Sequence, residues 1–197
     1  MMNKVKVIII AFFITLCLTG CENGKIENLE KNISKMELMN NLVTYKAYYH
    51  NVVEYTKEKG SGIGHILEKE RKLFIEYTGT IDLGIDLSKV KVDVKGNKVN
   101  VFIPKAKVIG EPSVDKEKFK AENFIESKDG LINKNPLTID DSSLAFKEAQ
   151  DKMKKEASKD EALLRLAQTR AKVLIEENIK AFSKLKDDKY FISWNFE

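Results

Sequence analysis

Between Arg71 and Leu87 the apolar residues keep to one parity. Leu73, Ile75, Tyr77, Ile81, Leu83, Ile85 and Leu87 alternate with Glu76, Thr78, Thr80, Asp82 and Asp86. Successive side chains of a strand point to opposite faces, so this period of two predicts one long strand with one face on a core and the other in water. Gly79 interrupts the apolar parity and Gly84 the polar one, and both are expected at bulges or bends. Upstream, Val43, Tyr45, Ala47, Tyr49, Val53 and Tyr55 share a parity. A helix would collect Leu42, Tyr45, Tyr49 and Val52 instead, but the aromatic and β-branched content favours a strand. Downstream, Val90, Val92 and Val94 alternate with Lys91, Asp93 and Lys95, and the pattern resumes at Val99, Val101 and Ile103 after Gly96-Asn97. That is a hairpin, with Pro104 at its end.

The stretch from Pro112 to Pro136 is weakly patterned. It reads as one short strand among loops, with Phe119, Phe124, Ile125 and Leu131 as anchors. The period then becomes helical. Phe146, Ala149, Met153 and Ala157 recur at spacings of three and four behind Asp140, Asp141, Ser142 and Ser143, which are candidate caps. Ser158 and Glu161 have capping-box spacing and open a second helix, whose stripe runs Leu164, Ala167, Ala171, Leu174, Ile175, Ile179 and Phe182. Finally Tyr190, Ile192, Trp194 and Phe196 alternate with polar and aromatic partners, a strand that returns to the sheet and buries Trp194. Strands, then helices, then a strand predict an α+β fold. A mainly antiparallel sheet packs against two C-terminal amphipathic helices, and a final C-terminal strand closes the chain.

The start of the chain follows another logic. A short basic segment containing Lys4 and Lys6 precedes an apolar run from Val7 to Leu18, too short to span a bilayer comfortably, and then Leu18-Thr19-Gly20-Cys21. This is the pattern of a lipoprotein export signal over residues 1–20, cut before Cys21, the thiol that would accept a diacylglyceryl group. At about 0.8 kcal/mol per buried CH₂, two or more acyl chains hold a protein stably where one would not. The polar residues 21–36, with Gly24 among them, read as a flexible tether, and 37–197 as a single α+β domain.

Composition narrows the function classes. Loss of the signal takes Lys4 and Lys6 from the 34 basic residues, leaving 32 against 30 acidic ones. Balanced, interspersed charge describes a solvated surface and argues against a nucleic-acid partner. Cys17 leaves with the signal and Cys21 is the lipid acceptor, so no thiol remains for a disulfide, a metal or a nucleophile.

Three segments carry a family likeness: Leu42–Tyr55, Phe74–Thr80 with Gly84–Asp93, and Val101–Lys107. Together they resemble the domain-of-unknown-function family number 4230, found in bacterial lipoproteins and membrane-anchored proteins. The likeness runs from about Met39 to Phe196, with Tyr77-Thr-Gly-Thr80 and Gly84-Ile-Asp-Leu87 as its most specific parts. It implies the architecture and an anchored location. It implies no reaction, ligand or cofactor.

Reactive constellations are hard to find. Gly60-Ser-Gly-Ile-Gly64 has the glycines of a phosphate loop but no strand–turn–helix setting, and reads as a flexible connection; in an anchored protein, Ile63, Ile66 and Leu67 would also be able to touch lipid. His50 and His65 are the only histidines, and a metal site would need two further ligands that nothing brings near. Asp82 and Asp86 share a parity but stand about 13 Å apart on an ideal strand, too far for a coupled acid–base pair. Ser61 and Ser88 lack a nucleophile elbow. Tyr45, Tyr49 and Tyr55 join the apolar face while Tyr48 points the other way, beside His50. Packing is the ordinary fate of strand tyrosines, whereas an exposed ring would stack on a sugar or a peptide.

These readings predict a membrane-anchored lipoprotein on the extracytoplasmic face of the cell membrane, without catalytic residues, metal or cofactor. Its partners would be the membrane, through the lipid on Cys21, and another cell-envelope protein. A carrier of a small apolar ligand is the alternative, and a hydrolase the third. The first expects an exposed surface, the second a lined cavity, the third converging titratable groups.

Overall fold

The computed structural model describes residues 40–126, 134–186 and 190–197, the side chains of 121 and 182–186 excepted. The signal, Cys21, the tether, Leu131 and the Phe182 side chain lie outside the described residues. Two compact units separate, Asn41–Ile85 with Lys105–Lys172, and Asp86–Pro104 with Val173–Glu197.

The first unit is built on β1 (Asn41–Lys57), β2 (Arg71–Asp86) and β5 (Lys107–Val114), in the order β1-β2-β5, with the short β6 (Ile125–Glu126) also paired to β2. The ion pairs Lys46–Asp82, His50–Glu76 and Glu54–Lys72 run in opposite order along β1 and β2, so these two strands are antiparallel. The expected parity of β2 holds along its whole length, Leu73, Ile75, Tyr77, Ile81, Leu83, Ile85 and Leu87 each being at most 2% exposed.

Helix α1 (Ile139–Lys159) packs on β1 and β5 and buries Ala145, Ala149, Met153 and Ala157. Three of these four contacts are alanines, which allows close approach. Both glycines of β2 stand where a side chain would collide with a neighbouring element. A Cβ on Gly79 would stand 2.8 Å from the Ser113 carbonyl and 3.2 Å from Met153 Cε, and one on Gly84 would stand 1.9 Å from the Leu42 carbonyl oxygen. The irregularity itself lies in β5. Its register against β2 shifts between Thr80 and Asp82, opposite the positive-φ Gly110. With a glycine and Pro112 inside it, β5 carried no legible strand pattern, and its place at the end of the strand order is where a proline is tolerated. Phe119 is buried as expected, 6.1 Å from the Tyr77 ring and 5.3 Å from the Phe146 ring by centroid, whereas Ile125 is 64% exposed.

Both helices begin at other residues than the sequence pattern indicates. α1 is capped by Thr138, which forms a reciprocal box with Asp141, so Asp141 is the third residue of the helix and not its cap. α2 (Glu161–Lys186) is capped by Asp160, whose carboxylate accepts from the amides of Ala162 and Leu163; the Ser158 hydroxyl instead donates to the Lys154 carbonyl. Ala167, Ala171, Ile175 and Ile179 form the buried stripe of α2, and Leu174 is 45% exposed.

The second unit contains β3 (Lys91–Lys95), β4 (Lys98–Ile103) and β7 (Phe191–Phe196), in the order β3-β4-β7. β3 and β4 are the expected hairpin around Gly96, at φ 59°. β7 runs parallel to β4, with Ile192 beside Val99 and Trp194 beside Val101. Two helices separate β4 from β7 in sequence, and a parallel pair needs such a crossover. Val94, Val99, Val101 and Ile103 are buried. Trp194 is only half-buried, contrary to expectation, because β7 is the last strand of its sheet. The architecture is α+β, with mainly antiparallel sheets, two C-terminal helices and a final C-terminal strand. No helix among the described residues is long and apolar enough to cross a membrane.

Candidate functional site

The outward parity of the first unit's sheet carries its polar chemistry. Tyr48, His50, Thr78, Thr80, Ser113 and Asp115 line an open groove of about 480 Å³ across β1, β2 and the end of β5. Tyr48 is 81% exposed, so it does not pack in the way strand tyrosines ordinarily do. His50 Nε2 bonds Glu76, which fixes the imidazole on the exposed face. Asp115 is held from two sides, since its amide donates to the Thr78 carbonyl and its carboxylate accepts from the Glu117 amide. The groove thus offers one exposed aromatic ring, the hydroxyls of Thr78, Thr80 and Ser113, and the Asp115 carboxylate. The opposite side of the same sheet is filled: Leu73, Ile75 and Tyr77, like Ala149 and Met153 of α1, have no measurable exposure, and Tyr77 Oη donates to the Ala149 carbonyl at 3.5 Å.

A second cluster is buried and looks reactive at first sight. Asp141 accepts from Lys57 Nζ at 2.5 Å, Tyr55 Oη at 3.1 Å, Thr138 N at 2.8 Å and Thr138 Oγ1 at 2.7 Å. Burial alone would push its carboxyl up, but the bonds from Lys57, Thr138 and Tyr55 together outweigh it and hold the group below the ordinary carboxylate range. Burial, and then the bond to Asp141, push Tyr55 up to about 12. Lys57 and both Thr138 donors meet Oδ2 while Tyr55 meets Oδ1, so the carboxylate is fully engaged in structural bonds and held ionised, a poor acceptor for a substrate proton. It ties the start of α1 to the end of β1.

The connection between β1 and β2 differs most from the flexible link expected of Gly60-Ser-Gly-Ile-Gly64. Glu68 accepts from the Gly60 amide at 2.9 Å and pairs with His65 Nδ1 at 2.8 Å, which holds the Glu68 carboxyl below its usual range. The His65 ring lies over Gly60, where a Cβ would stand 2.1 Å from it. A 3-10 turn, Ile63–His65, follows Gly62 at φ 100°. At the loop's base the buried Asn135 donates to the carbonyls of Glu58 and Lys69, both at 3.1 Å. Asn135 is more than sixty residues away in sequence, so no local signal could have revealed the clamp. Ile63, Ile66 and Leu67 point outward, at 90%, 74% and 52% exposure.

The other sequence candidates are not brought together. His50 and His65 each bond a different glutamate, and among the described residues no three His, Cys, Asp or Glu converge as a metal site. Asp82 pairs with Lys46 at 3.4 Å, while Asp86 accepts from the Ser88 hydroxyl at 2.6 Å. Ser61 is exposed. Cys21 lies outside the described residues. A family model described as "Protein of unknown function (DUF4230)" matches residues 34–188. No curated protein and no solved structure matches the chain.

Proposed function

The chain belongs to the DUF4230 family, and from that premise we propose that it is a lipid-anchored, non-enzymatic binding domain held on the extracytoplasmic face of the cell membrane. The location rests on Leu18-Thr-Gly-Cys21, with Cys21 as the lipid acceptor. The binding role rests on the groove, and above all on Tyr48, a large amphipathic ring left 81% exposed in the middle of a regular strand. Such a ring, rimmed by fixed polar groups, is suited to stacking against a partner while Thr78, Thr80 and Ser113 hydrogen-bond to it. Among the described residues no arrangement favours the other two readings. The apolar side of the sheet is packed rather than hollow, and the buried Asp141 is committed to Lys57, Tyr55 and Thr138.

A photo-crosslinking amino acid in place of Tyr48, in whole cells, tests the reading. An adduct with one envelope component should form. Excess wild-type domain should suppress it, and a domain carrying Tyr48→Ala and Thr80→Lys should not. Equal suppression by both competitors, or no adduct, contradicts the reading.

A further inference from the structure

We propose that the loop between β1 and β2 is a lipid-contact element that places Ile63, Ile66 and Leu67 in the interfacial layer of a bilayer. The inference rests on the anchored location proposed above, but it is carried by the loop's own construction. A five-residue stretch with three glycine-flanked or adjacent aliphatic side chains at 90%, 74% and 52% exposure is an unusual surface for water. The loop is not loose. Glu68 and Asn135 hold it by side-chain bonds to the Gly60 amide and to the Glu58 and Lys69 carbonyls, so its shape is set before any partner arrives. The backbone supports the same reading. The amides of His65 and Glu68 donate to Gly62 and His65 carbonyls within the loop, and the Leu67 carbonyl accepts from Lys134. A segment entering a lipid interface must satisfy such groups internally.

The side-chain types favour lipid over protein. Protein hot spots are rich in Trp, Tyr and Arg, whereas the large apolar residues exposed here are aliphatic, with Ser61 and His65 as the exposed polar side chains between Gly60 and Leu67. The flanking charges Glu58, Lys59, Lys69 and Glu70 cancel, so the contact is apolar and needs no anionic lipid. An anchor on Cys21 would keep a bilayer always within reach, which turns even weak insertion into an intramolecular event. The chain is long enough. β1 spans about 56 Å between the tether side and the loop, and residues 21–40 extend to at most about 70 Å.

The test uses the mature chain from position 21 with Cys21→Ser, so that only the loop can bind, and vesicles of zwitterionic phosphatidylcholine. Bimane is placed at Ile63→Cys and, as a control, at the exposed helix position Lys155→Cys. The reporter at 63 should shift to the blue and be quenched by nitroxide-labelled lipid, the control should do neither, and the binding should be insensitive to salt. Ile63→Asp with Ile66→Asp should lower the vesicle-bound fraction at least about tenfold while leaving the circular dichroism unchanged. Water-like emission at 63, equal quenching at 155, or unchanged binding of the double variant overturns the inference. Fatty-acid labelling of wild-type chain at Cys21 reports separately on the anchor, so a failed loop and a failed anchor are told apart.

Discussion

Asp141 is where a single atom group holds most in the first unit, and Asp141→Ala therefore has a calculable consequence. The carboxylate closes the box at the start of α1, and loss of a cap costs about 1 kcal/mol. Its removal also strands the Lys57 ammonium, whose side chain is 16% exposed. Breaking a buried ion pair costs about 3–5 kcal/mol, but Lys57 keeps the Pro136 carbonyl at 2.7 Å, which places this term at the low end. The two losses share partners and do not add fully, so the variant should lose about 3–4 kcal/mol, or about 10 °C in Tm for a chain of this size. Urea unfolding followed by circular dichroism at 222 nm would measure it. A further Lys57→Met change should restore part of the loss, because it removes the unpaired charge. A cost of Asp141→Ala below about 1 kcal/mol, or a double variant no better than the single one, would refute the account of the cluster.

Other outcomes follow from the same physics. Because the folded pKa of Asp141 is lowered, its contribution is present above about pH 4 and is lost as the pH falls through the folded value, so acid titration should unfold wild type at higher pH than a Lys57→Met, Asp141→Leu variant relative to each protein's neutral stability. The raised Tyr55 gives the opposite limb: stability present below about pH 10 should fall as the pH rises toward about 12, and less so in Tyr55→Phe. Tyr77→Asp should abolish folding, since Tyr77 is fully buried, while the outward Thr78→Asp should leave Tm nearly unchanged; equal Tm values would contradict the strand register. Gly84→Ala should destabilise by about 2–3 kcal/mol, because its Cβ would meet a carbonyl at 1.9 Å and backbone must move, against about 1 kcal/mol for Gly62→Ala, where only φ is strained.

The alternation of β2 was legible because its two glycines leave the period in phase: seven apolar residues hold one parity, and the fold buries all seven. The hairpin at Gly96 and the stripe Ala149, Met153 and Ala157 were readable from their spacing, although Ala145 and not the expected Phe146 is the buried residue before them. β5 was not, since Gly110 and Pro112 break its pattern and only pairing with β2 makes it a strand. The helix starts were misplaced by two residues because several Ser, Thr and Asp side chains compete at each end, and backbone geometry selects among them. Trp194 was expected in the interior from its parity alone, but parity sets a face and not the depth of an edge strand. The groove was foreshadowed by Tyr48 lying opposite the apolar face. The clamp on the Gly60 loop was invisible, because Asn135 and Glu58 meet only in the folded chain.

The binding role and the lipid-contact loop both presuppose that the chain is held at a membrane through Cys21, which makes that attachment the claim to test first. Cells fed a labelled fatty acid would be fractionated while expressing either wild type or Cys21→Ser. Wild type should carry the label and sediment with membranes, and Cys21→Ser should be unlabelled and either released or retained with its signal uncut. Unlabelled wild-type protein, free of membranes, would contradict the account.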